Sequence, residues 1–118
     1  MGEIKRIHIP QYSGISFVSK VLMFLDPMEY CVLDKQIASL RTQNVPKALS
    51  QLVFGTNETQ IRISAHNEAV YDGWRKECLA VGTDYYNNEY RAVDIERGFF
   101  QLIQQGWLLD AQVIYNNA

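Results

Sequence analysis

Apolar residues in this chain recur at three- and four-residue steps, and strict alternation lasts no longer than "QIRIS" at 60–64. A period near 3.6 puts such residues on one helix face, whereas a half-buried strand needs a period of two. The expected fold class is therefore all-α: a compact array of about five short helices in a single domain, 1–118. With 118 residues, 47% of them hydrophobic and 20% charged, the chain can bury a core without disulfide or metal support, which excludes a disordered chain.

Glycine and proline mark the boundaries. Residues 4–9 read as extended, and "QYSGIS" (11–16) reads as a turn in which Gly14 tolerates positive φ. A helix is expected from Phe17 to Leu25, with Phe17, Val21, Leu22 and Leu25 on its apolar side. "DP" at 26–27 ends it, because the residue before proline is pushed out of the α region. The next helix starts at Asp34, a good N-cap, and runs to Arg41. "NVPKALSQLVFG" (44–55) has proline near the start and glycine past the end of a third, with Val45, Leu49, Leu52 and Val53 as its stripe. After a loop at 56–60, a long helix over 64–81 is expected to end at Gly82. "TDYYNN" (83–88) reads as a loop and Tyr90 to Gln105 as the last strong helix, while the run "DYYNNEY" (84–90) reads as packed by its own tyrosines, with stacking on exposed bases as the alternative. "WLLDAQVIYNN" is open between helix and strand. Trp74, Tyr71, Phe99 and Phe100 are expected in the core.

Cys31 and Cys78 are far apart in sequence and form no CxxC pair, so buried free thiols in a reducing compartment are expected. His8 and His66 have no companions at ligand spacing, so no metal and no cofactor is expected. The longest apolar run, "VLMFL", is far too short for a membrane span, and the start "MGEIKRIHIP" lacks a signal-peptide core. A soluble, cytoplasmic protein with no membrane partner is the expectation.

Charge is uneven. Residues 1–50 carry six basic and four acidic side chains, a net of +2; the remainder carries five and nine, a net of −4. An overall charge of −2 argues against strong nonspecific nucleic-acid binding. Any DNA contact is expected in the first half.

The stretch "IPQYSGISFVSKVLMFLDPMEYCVLDKQIASL" (9–40) resembles the helix-hairpin-helix region of the base-excision DNA glycosylase superfamily, in particular its 8-oxoguanine-type members. "IPQYSG" stands at the hairpin, "FVSKVLMFL" at the apolar helix, and "YCVLDKQIASL" at the helix opened by an aspartate. "EYRAVDIERGFFQLIQQG" (89–106) is similar to the C-terminal helix of small bacterial glycosylase-like proteins.

The resemblance implies a DNA-binding protein. In the family, hairpin backbone N–H groups face a phosphate; here Gly14, Ile15 and Ser16 would lie at that approach, with Lys20 one turn along. It also implies that Asp34 would stabilise the oxocarbenium character that develops when an N-glycosidic bond breaks, or activate water. The helix N-terminus favours its charge.

This chain departs from the family pattern in three ways. Gln11 and Ser13 fall on the two hairpin glycine positions. Ile15 or Ser16 stands where lyase-type members carry a Schiff-base lysine, so a lyase step is not expected. Only ten residues precede "QYSG", where the family has a first helical subdomain, so a complete base-flipping pocket is not expected from these residues alone, and a protein partner or a homodimer stays open as the source of the rest. Two functions stay open: a monofunctional glycosylase-like hydrolase acting on double-stranded DNA, or a non-catalytic interaction or regulatory protein on the same scaffold. Each site residue also has a plain reading: Asp34 as a cap, Gly14 as a turn glycine, Lys20 as a solvated lysine.

Overall fold

The computed structural model describes residues 14–55 and 60–118. The expected extended segment 4–9, hairpin residues 11–13 and loop residues 56–59 lie outside them. The described chain is all-α, with five α-helices and a 3₁₀ turn. In order these are α1 (Ile15–Leu25), α2 (Lys35–Ala38), the 3₁₀ turn Ala48–Gln51, α3 (Ala65–Tyr86), α4 (Ala92–Gln104) and α5 (Leu108–Asn117).

The 22-residue helix α3 is the axis of the fold. It packs on α4 and on the 3₁₀ turn, while α4 also packs on α2 and α5. Trp74 from α3 is fully buried at the centre. Its ring meets Phe99 of α4 at 6.0 Å and Tyr115 of α5 at 5.6 Å, edge on. Large aromatic rings in tilted contact supply both buried area and a preferred geometry, so this trio fixes how three helices meet.

Helix starts follow local chemistry. Ser64 accepts the amide of Asn67 and caps α3. Asp94 closes a capping box with Arg91 at the start of α4. Alternation appears in space at "QIRIS": Ile61 and Ile63 are buried and Arg62 is exposed. Arg62 makes an isolated antiparallel bridge with Gly14.

Several expectations need correction. The buried side of α1 is Ile15, Val18 and Ser19, with Leu22 against the core. Phe17 is exposed, and Leu25 is 77% exposed. This helix is apolar nearly all round, so two stripes share the helical spacing and periodicity alone cannot choose between them. The choice falls to Ser19, whose hydroxyl accepts the amide of Leu33 at 3.0 Å.

The stretch 44–55 forms only the 3₁₀ turn, not a full helix. Leu49 and Leu52 are buried from its expected stripe, but Val53 is 65% exposed. The helix expected to stop at Gly82 continues to Tyr86, so Thr83–Tyr86 is helix and not loop. The left-handed residues that stop it are Asn87 and Asn88, and the amide of Asn88 returns to the carbonyl of Gly82. Gly82 instead permits close approach: a Cβ there would come within 3.1 Å of the Tyr90 carbonyl. The open tail is helix α5. Tyr71, Trp74 and Phe99 are buried, and Phe100 packs on the core partly exposed. None of the described helices is long and apolar enough to cross a membrane.

Candidate functional site

Between α1 and α2, Cys31, Val32 and Leu33 belong to no helix, yet all three are buried. Buried backbone must find partners for its N–H and C=O groups. Here side chains from three helices provide them. Tyr71 donates to the Cys31 carbonyl at 2.8 Å, and Trp74 Nε1 donates to the Val32 carbonyl at 3.1 Å. Glu96 Oε1 accepts the Val32 amide at 3.2 Å, and Ser19 accepts that of Leu33. The linker is therefore held on both edges, and it delivers Asp34 to a set position.

Asp34 caps α2, its Oδ1 accepting the Ile37 amide at 2.9 Å. The plain reading of this residue is thus realised. Asp34 is also half-buried at the wall of an open groove of about 280 Å³, shared with Ser16, Lys35, Gln36, Gln60 and Ile61. Ser16 and Asp34, far apart along the chain, therefore meet at one surface.

The other candidates sit as follows. Gly14 has φ −107° and ψ 141°, ordinary extended backbone rather than a left-handed turn. A Cβ there would come within 2.6 Å of Gln60 Oε1, so the glycine admits that side chain. Ile15 is fully buried, and its amide donates to the Ile61 carbonyl at 2.8 Å. Lys20 is exposed on α1. Its charge and that of Asp34 both reach Glu96.

Glu96 is the residue that sequence reasoning passed over. It has no exposed surface, and Oε2 has no hydrogen-bond partner among the described residues. Burial pushes its carboxyl up to about 7; the Val32 amide and Arg97 oppose this, the Asp34 charge adds to it, and Lys20 opposes it. A signal was present in "AVDIERGFFQLI": an acid four residues after Ala92 and three before Phe99, on the apolar side of an amphipathic helix.

Cys31 and Cys78 are free and buried, as expected. The fold brings them together, close enough for the Cys31 thiol to act on that of Cys78. Burial, and then Cys31, push the Cys78 thiol well above the usual range. Among the described residues, no group of three or more His, Cys, Asp or Glu side chains could hold a metal.

Comparison of the chain with family models, with curated proteins and with solved structures yields no match.

Proposed function

We propose that this protein binds DNA on a helix-hairpin-helix, glycosylase-like scaffold, with Asp34 as the carboxylate nearest the bound strand. The observation that supports this is the groove joining Ser16 to Asp34. On this reading the first turn of α1 approaches a phosphate, Lys20 lies one turn along the same exposed side, and Asp34 faces the sugar. A carboxylate there would stabilise positive charge developing on the sugar as the N-glycosidic bond lengthens.

A second reading is DNA or protein binding without catalysis. Two observations favour it. Asp34 Oδ1 is already engaged by the Ile37 amide, and Ile15, one of the two residues that the resemblance puts at the lyase lysine, is fully buried.

The deciding experiment measures base release from duplexes carrying damaged bases, with wild type and Asp34→Asn side by side, and DNA affinity across salt concentrations. Base release lost in Asp34→Asn, with affinity retained, supports the catalytic reading. Affinity that falls steeply with salt but no base release supports the non-catalytic one. Absence of binding at low salt sinks the DNA reading altogether.

A further inference from the structure

Outside the Asp34 groove, Phe54 carries two cations. The Arg41 guanidinium lies 4.9 Å and the Lys35 ammonium 5.6 Å from its ring centre. Phe54 is half-buried and packed against the core, so it is a fixed platform. A guanidinium laid on an aromatic face keeps its N–H donors in its own plane, directed outward, and that fork matches the oxygens of a phosphate.

Arg41 has not spent those donors. Among the described residues the ion pairs belong to Arg75, Lys76 and Arg91, each with a carboxylate nearby. Arg41 has no carboxylate partner and makes no side-chain hydrogen bond there. It opens onto a groove of about 410 Å³ lined by Thr42, Gln43, Ser50, Leu52 and Phe54 as well. Among the described residues no acid lines this groove, in a protein whose net charge is −2. The Thr42 hydroxyl accepts from Asn116 at 3.0 Å, which leaves its own O–H to donate. Lys35 belongs both to this aromatic platform and to the Asp34 groove, so the two grooves adjoin through it.

We infer that the groove beside Phe54 is a phosphate-binding subsite in which Arg41, held over the Phe54 ring, contacts a backbone phosphate of the DNA strand that passes Asp34. This rests on the DNA-binding reading above and gives the strand a direction, across α2 from Ser16 towards Arg41. Phe54 acts as a positioning residue and Arg41 as the contact.

The test is fluorescence anisotropy of a labelled mixed-sequence duplex, titrated with the full chain at several chloride concentrations. Arg41→Gln is expected to weaken binding roughly tenfold. It should also reduce the slope of log affinity against log salt by about one, whatever the DNA sequence. Phe54→Leu keeps the apolar anchor but removes the ring, and is expected to weaken binding less, with an unchanged slope.

Arg97→Gln is the control. Arg97 is stacked on Phe100 at 4.4 Å in the same manner, but it lines neither groove. An equal loss in Arg97→Gln would mean that only bulk charge is sensed, and would overturn the inference. So would DNA binding whose affinity and slope are unchanged in Arg41→Gln, an outcome that leaves the DNA-binding reading standing. No binding by wild type at low salt removes both. Displacement of the duplex by inorganic phosphate at constant ionic strength would assign the subsite to the free ion and overturn the strand contact.

Discussion

Glu96 reaches from α4 into the core and accepts the backbone amide of Val32 at 3.2 Å, while its other oxygen has no partner among the described residues. An ionised carboxylate with no exposed surface and one hydrogen bond is costly to hold, so the folded state favours its protonated form.

This gives the protein a pH-dependent stability with a definite sign. The folded carboxyl titrates at about 7, above its ordinary value of 4.5. Between those values the folded state binds more protons than the unfolded state, so stability falls as pH rises through this window and levels off above it. The full loss is on the order of 3 kcal/mol. Glu96→Gln keeps an acceptor for Val32 but does not titrate. Urea unfolding at pH 5 and pH 8 should show a clear drop for wild type and a much smaller one for Glu96→Gln. Equal drops would exonerate Glu96.

Asp34→Ala removes the acceptor for the Ile37 amide. A cost of about 1 kcal/mol is expected, the usual worth of an N-cap. Asparagine caps about as well as aspartate, so Asp34→Asn should unfold within a few tenths of a kcal/mol of wild type. The pair therefore separates the cap from any chemistry of the carboxylate. A large loss of stability in Asp34→Asn would show that its charge matters to the fold itself.

Cys31 and Cys78 should both resist a thiol reagent in native buffer. They are 0% and 1% exposed, and the Cys78 thiol is held in its protonated form. Only the thiolate attacks such reagents. Labelling should appear with the unfolding transition in urea, both cysteines together. Prompt native labelling of either one would contradict this packing.

Two glycines in helices should respond oppositely to alanine. Gly98, inside α4, has nothing within 4 Å of an added Cβ, so Gly98→Ala should gain about 0.5–1 kcal/mol from helix propensity. At Gly82 the Tyr90 carbonyl stands 3.1 Å from the new atom, and backbone must move to admit it. Thermal melts should place Gly98→Ala above wild type and Gly82→Ala at or below it.

Much of the helical pattern was legible from local chemistry. Asp34 as a cap, "DP" as a stop, and the stretch ending at Gly106 needed only the intrinsic preferences of neighbouring residues. Gly106 has φ +83°, a conformation glycine adopts at no steric cost. The glycine at 82 misled because its signature, a glycine after an apolar run, belongs equally to a helix end and to a close contact. Asn87 and Asn88 carried the true stop.

The sequence by itself determined that this chain is helical and where most of its helices begin, because caps, prolines and apolar periods act over a few residues. Only the tertiary structure decided which side of α1 turns inward, that Ser16 meets Asp34 at one groove, and that Glu96 lies buried beneath the linker carrying Asp34. Those outcomes depend on partners from distant segments. Ser19, Tyr71, Trp74 and Glu96 satisfy the backbone of Cys31, Val32 and Leu33. No local window of sequence contains both halves of such a bond.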